Sequence, residues 1–232
     1  MPDAIVLTNV EKQYGGLRPL RVRELRVPEG RVTMLMGFDR ATAEVLVNLI
    51  TGASLPDSGV VDSLGRPTQT IASGDEWLAF VERFGIVSDR IVLLEAMTIA
   101  QNLAISFDLD LDPVPPAVMS RVAELAADVA IDPEDLDLRA GEAQPLLRSK
   151  IYLARALALA PAILLLEHPT ANLSPDDATV FARIISTLSA RRSLTTLGLL
   201  MDERFAKATG GRLLTWQPAT GEMKERSMLR FW

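Results

Sequence analysis

Met34-Leu35-Met36-Gly37-Phe38-Asp39-Arg40-Ala41-Thr42-Ala43-Glu44-Val45-Leu46-Val47-Asn48-Leu49-Ile50-Thr51-Gly52 is the stretch on which the reading of this chain turns. Its opening reads as a buried strand ending at a glycine, and Val45 to Gly52 reads as the helix that follows. Strand, glycine-opened loop and helix form the frame of the G-x-x-x-x-G-K-[ST] phosphate-binding loop. Laid on that pattern, Gly37 is the first glycine, Thr42 stands at the second, Ala43 at the lysine, and Glu44 at the residue whose hydroxyl would ligate magnesium. The frame is present and its phosphate-binding side chains are replaced.

Working outward, further landmarks stand in order along the chain. Lys12-Gln13-Tyr14-Gly15 and Val27-Pro28-Glu29-Gly30 precede the loop, and Pro56-Asp57-Ser58-Gly59 and Phe84-Gly85-Ile86-Val87 follow it. Ala154-Arg155-Ala156-Leu157, Pro161, the apolar run Ile163-Leu164-Leu165-Leu166 with Glu167-His168-Pro169-Thr170, and Pro218-Ala219-Thr220-Gly221-Glu222 complete the series. From about Ala4 to Glu225 the chain resembles the nucleotide-binding subunit of ATP-binding-cassette transporters, as a degenerate member.

Composition agrees with such a subunit. A length of 232 residues supports one packed domain. The net charge of −6 argues against a nucleic-acid surface, and the absence of cysteine removes disulfides, thiolate metal sites and a cysteine nucleophile. The start, Met1-Pro2-Asp3-Ala4, shows no secretory pattern, and the longest apolar stretch, Ala156 to Leu166, is too short to span a bilayer. The expectation is a cytoplasmic protein, peripheral to the membrane through a partner.

The periodicity divides the chain into zones. Ile5 to Met36 is strand-rich, with alternation in Leu20-Arg21-Val22-Arg23 and Leu25-Arg26-Val27 that suits a half-exposed antiparallel sheet. From about Leu94 to Arg148 the pattern is helical, with Val118, Val122, Leu125 and Val129 on one face after Pro115-Pro116. Asp108 to Asp112 and Asp132 to Asp135 read as solvated connections. Val180, Phe181, Ile184, Ile185 and Leu188 predict a second core-facing stripe. The fold class is α/β, a P-loop NTPase-like, mostly parallel sheet core with an N-terminal antiparallel β lobe and an inserted helical lobe. One cassette-like domain over 1–232 is expected, its core at 1–90 and 150–232 and its helical subdomain at about 91–149.

The resemblance assigns site roles position by position. Gly37, Asp39, Arg40, Ala41, Thr42, Ala43 and Glu44 form the nucleotide loop, Tyr14 takes the place of the adenine-stacking aromatic, and Asp89 that of the glutamine after Phe84-Gly85-Ile86-Val87-Ser88. A carboxylate at Glu44, about 4 Å from one phosphate charge, would be repelled by roughly 4 kcal/mol at an effective dielectric of 20. Asp39 at a helix N-terminus would instead satisfy the amides a phosphate would use. Glu167 and His168 stand at the magnesium-shell aspartate and the catalytic glutamate, and Asp202 at the switch histidine. The signature falls on Ala143-Gln144-Pro145-Leu146-Leu147, or with a gap on Leu138-Arg139-Ala140-Gly141-Glu142. In the loop after Pro169-Thr170, which reads Ala171-Asn172-Leu173-Ser174, serine stands at the usual aspartate.

Ile91, Leu94 and Met97 are similar in position to the groove that receives a membrane subunit's coupling helix. The implied function is a cassette subunit unable to hydrolyse ATP that docks on a membrane permease or forms a homo- or heterodimer with a cassette subunit, with no resident metal. ATP and magnesium are the cofactors that residual binding would involve. Two rivals stay open: a divergent, active ATPase built on Arg40, Glu167 and His168, and a soluble scaffold or nucleotide sensor.

Overall fold

A computed structural model describes residues 2–225. In chain order the elements are β1 Asp3–Lys12, β2 Leu20–Pro28, β3 Val32–Met36, α1 Arg40–Ile50, β4 Ser58–Ser63, β5 Arg66–Pro67 and α2 Gly74–Val81. They continue with β6 Phe84–Val87, α3 Ile99–Ala104, α4 Pro116–Asp128, α5 Pro145–Leu157, β7 Ile163–Glu167, α6 Pro175–Arg192, β8 Thr195–Leu200, α7 Glu203–Ala208, β9 Arg212–Gln217 and β10 Glu222–Glu225.

Two sheets result. An antiparallel sheet in the order β2-β1-β4-β5 forms the N-terminal lobe, and β2 alternates buried Leu20, Val22, Leu25 and Val27 with exposed Arg21, Arg23 and Arg26, as the sequence predicts. The second sheet runs β10-β9-β3-β8-β7-β6, parallel throughout except for the β9–β10 pair. β7 is buried at every residue because helices cover one face and α1 with the antiparallel lobe cover the other. Successive strand residues consequently feed two different cores. Met34, Leu164 and Leu166 join the core of α4, α5 and α6, while Leu35, Leu165 and Leu197 join that of α1 and the β lobe.

The helical lobe packs as expected on Val118, Val122, Leu125 and Val129, all buried. The helical pattern starts later than the sequence suggests, however. Residues 91–98 form a loop, and α3 begins at Ile99 with Thr98 and Gln101 in a reciprocal capping box. The predicted stripe on α6 holds at Phe181, Ile185 and Leu188, is half-buried at Ile184, and fails at Val180, which is 42% exposed. Ala178 and Ala182 take the remaining core contacts, so the buried face of α6 lies to one side of Val180. α5 runs through the 149/150 position at which the sequence separates lobe from core, so one helix serves both. Gly85 permits its approach, because a Cβ there would stand 2.2 Å from the Ala156 carbonyl oxygen.

Candidate functional site

The ends of β3, β6 and β7 point to one place, and the first turn of α1 faces them there. β3 gives way to Gly37 at φ +93°, a left-handed conformation suited to glycine, and a Cβ would also meet the Trp216 carbonyl at 3.2 Å. Phe38 turns inward, fully buried, and stacks on Trp216 with ring centroids 4.6 Å apart. Trp216 in turn donates from Nε1 to the Arg21 carbonyl, 2.8 Å, tying the loop to the β lobe.

Sequence spacing places a loop over Gly37–Glu44; the helix in fact begins at Arg40, and only Gly37, Phe38 and Asp39 remain outside elements. The reason is Asp39. Its Oδ1 accepts from the Thr42 amide at 2.8 Å and from the Thr42 hydroxyl at 2.7 Å, an N-cap that stabilises the first turn. The Ala43 amide already bonds the Asp39 carbonyl at 2.9 Å. The same Thr42 bonds, with a smaller contribution from His168, hold the Asp39 carboxyl below its ordinary value. Thr42 and Ala43 are buried in the helix, whereas Arg40 and Ala41 are exposed.

Charges beside this turn are paired with one another. Arg90 forms a bidentate pair with Glu167, Nε to Oε1 at 3.0 Å and Nη2 to Oε2 at 2.6 Å, and its Nη1 reaches Glu44 at 3.0 Å. Arg40 pairs with Asp89 at 2.6 Å. Glu167, the last residue of β7, is only 4% exposed. Hydrogen bonds to Glu167 push the Arg90 guanidinium above its already high ordinary value, against the opposing effect of burial.

His168 follows at φ +45°, a region that costs a non-glycine residue of order 1 kcal/mol or more. Its amide donates to the Leu199 carbonyl at 3.0 Å, while Nε2 is buried without a partner. Tyr14 is half-buried, and burial followed by the Asp39 charge pushes its phenol up.

Several other sequence-predicted positions act as helix caps. Asp202 accepts from the Arg204 and Phe205 amides at 2.9 and 3.0 Å to cap α7, and Ser174 accepts from the Asp177 amide at 3.2 Å to cap α6. Ala143 is buried, Gln144 is the N-cap of α5 without a side-chain capping bond, and Pro145 opens the helix, with Leu146 and Leu147 half-buried in its first turn. The gapped alternative lies upstream: Ala140–Glu142 is a single 3-10 turn whose amides at Ala140 and Gly141 donate to the Met97 and Glu95 carbonyls.

That contact leads to the docking segment. Ile91 is half-buried and lines a cavity of about 230 Å³ with Phe84, Ile86, Arg155 and Leu159. Leu94 is exposed on the loop, Met97 is half-buried, and neither lines the cavity, so the three residues are not brought into one pocket. The loop owes its shape to Asn102, fully buried on α3. Its Oδ1 accepts from the Leu94 amide at 2.9 Å, and its Nδ2 donates to the Leu94 and Thr98 carbonyls at 3.0 and 2.9 Å.

Sequence reasoning missed Phe38, Arg90 and Asn102. Arg90 had a partial signal, since Glu167 at the end of an apolar strand is buried and requires a counter-charge. Phe38 had none, because Trp216 lies 178 residues away on β9, and Asn102 had none, because its partners lie in the loop before α3, where periodicity reads a helix.

No family model matches the sequence. It is 28% identical over 214 residues to an Fe(3+) ions import ATP-binding protein of Rhodococcus jostii, covering 92% of this chain and 59% of that protein. It is 32% identical over 170 residues to the sulfate/thiosulfate import ATP-binding protein CysA of Thermosynechococcus vestitus, covering 71% and 47%. The chain thus spans about half to three-fifths of these relatives' length. Among solved structures, the dimeric structure of a bacterial ABC transporter cassette superposes with a TM-score of 0.77 at 20% identity, over 96% of this chain and 97% of that one. cbiO1 of Clostridium perfringens, part of the ABC transporter complex cbiONQ, superposes at 0.80 with 17% identity, over 97% and 88%. The chain thus has the ATP-binding-cassette fold and is similar along most of its length to the ATP-binding proteins of import systems.

Proposed function

We propose that the chain is a cassette subunit that does not hydrolyse ATP and whose work is docking, through its helical lobe, on a membrane permease or on a partner cassette subunit. The observation that carries this reading is the mutual pairing of Arg90 with Glu44 and Glu167 at the place where a magnesium–triphosphate would need free cations and free metal ligands. The residues present do not fit that group. Ala43 brings no charge, Glu44 brings a negative one, and the Thr42 and Ala43 amides in the first turn of α1 are met by Asp39. Transport as the setting rests on the import relatives and is a proposal for this chain. Among the described residues no helix is long and apolar enough to cross a membrane, which agrees with attachment through a partner.

The divergent-ATPase alternative needs Arg40, Glu167 and His168 to act together. Arg40 pairs with Asp89 and Glu167 with Arg90, which disfavours it, while the unpartnered His168 Nε2 is the one atom in its favour. ATP turnover by the purified chain with magnesium separates the two. The expected result is phosphate release no faster than in a buffer control; sustained turnover that disappears in His168→Ala would establish the enzyme. For docking, Leu94→Asp should release the chain from membranes or from its co-purifying partner with an unchanged circular dichroism spectrum. Association that survives Leu94→Asp but is lost on changes at Glu44 or Gln144 would move the essential surface to a cassette–cassette interface.

A further inference from the structure

Glu44 and Glu167 come from different elements, the start of α1 and the end of β7, yet one guanidinium holds both. Glu167 is buried, and a carboxylate taken out of water requires a compensating charge. The cassette fold implies a divalent cation at this place, and the side chains disagree with one: Arg90 engages both oxygens of Glu167 and one of Glu44. We propose that Arg90 is a built-in cation that takes the place of a divalent metal between Glu44 and Glu167 and thereby fixes the chain leaving β6 against the core without metal or nucleotide.

The chain around Arg90 supports this. Ser88 Oγ accepts from the Arg90 amide at 3.2 Å, and the Ile91 amide donates to the Ser88 carbonyl at 3.2 Å, so the backbone on both sides of Arg90 is set by one turn. Arg40 grips Asp89 from α1 while Arg90 reaches β7, so two successive residues are held by two elements of the core. Ile91, the first residue of the proposed docking segment, comes next. On this proposal the core holds that segment through Asp89 and Arg90. The proposal shares only this segment with the docking reading and holds whether or not a permease binds there.

Manganese serves as the probe ion, with thermal melting and amide exchange as readouts on the whole chain. Manganese should leave the melting temperature of the wild type unchanged. Arg90→Met, which strands a buried carboxylate, should melt roughly 5 °C or more lower. Manganese should raise that temperature again, and Arg90→Met/Glu44→Gln should lose the manganese effect. Amides of Ile91–Met97 should exchange faster in Arg90→Met than in the wild type. If Arg90→Met does not fold, Arg90→Met/Glu167→Met, which leaves no lone buried charge, carries the exchange measurement. Manganese that stabilises the wild type as much as Arg90→Met, or fails to stabilise folded Arg90→Met, would overturn the replacement of a metal. Unchanged exchange across Ile91–Met97 would overturn the hold on the segment. Neither readout depends on ATP turnover or on partner capture.

Discussion

Asp39 shows how one side chain changes the character of a loop. A carboxylate at the N-cap bonds the Thr42 amide and hydroxyl and faces the positive end of the α1 dipole, so the helix begins at Arg40 rather than after Glu44. Replacing an N-cap by alanine typically costs about 1 kcal/mol, and Asp39→Ala should lose about that much in urea unfolding at neutral pH. The pH dependence follows from the depressed native value. Above the unfolded aspartate value of about 3.9 the contribution is fully present, and it disappears as pH falls through the lower native value. The gap between wild type and Asp39→Ala should therefore narrow on acidification through that window. Asp39→Asn, a good cap without a titrating group, should retain most of the neutral-pH stability while losing this pH dependence. A gap that stays constant down to strongly acid pH would show that the carboxylate does not act through its charge.

Among the elements, α3 is short, and its influence runs through Asn102. This side chain takes the Leu94 amide and adds a bond to the Leu94 and Thr98 carbonyls, which also accept the Met97 and Asn102 amides, so it functions as a buried brace for the 91–98 loop. Removing it leaves the Leu94 amide without its side-chain acceptor and takes one of two bonds from each carbonyl. Asn102→Ala should destabilise the chain by about 1–3 kcal/mol and speed amide exchange selectively at Leu94–Ile99. Protection that drops evenly over α4 and α5 instead would mean that Asn102 supports the lobe as a whole. Leu94 is exposed on the loop that this brace holds, where periodicity placed a helix.

On the scale of the whole molecule, the distribution of charge and the shape of the frame make separable demands. Ala43→Lys with Glu44→Ser restores the side chains of the phosphate-binding pattern and changes the net charge from −6 by two units toward neutral. It leaves α1 capped by Asp39, and Phe38 still anchored on Trp216 across the sheet. Charge alone supplies no cradle of free amides, which phosphate binding at such a loop requires. Calorimetry with ATP and magnesium should accordingly show no high-affinity binding to Ala43→Lys/Glu44→Ser, and a further Asp39→Gly, which removes the cap, should be needed before binding appears. High affinity in the double variant would mean that the amides of the first turn are available after all.

The order of strands and helices was legible because it rests on local regularities. Alternation wrote β2, continuous apolar runs wrote β3 and β7, and the spacing of Val118, Val122, Leu125 and Val129 wrote α4. The departure of Thr42, Ala43 and Glu44 from the phosphate-loop pattern was legible for the same reason, since the pattern is contiguous. Where the helix starts, which charges meet and which apolar residues are sheltered depend on partners distant in the chain. Arg90 finds Glu167 across 77 positions, and Phe38 finds Trp216 only because β9 lies beside β3 in the sheet. Val180 fell outside the core because helix periodicity defines a stripe but packing decides its edge. The sequence by itself determined the elements and the departure of Thr42, Ala43 and Glu44 from the phosphate-loop pattern. Only the tertiary structure decided which charges and rings meet, because pairing of charges and burial of rings are properties of strands and helices brought together from distant parts of the chain.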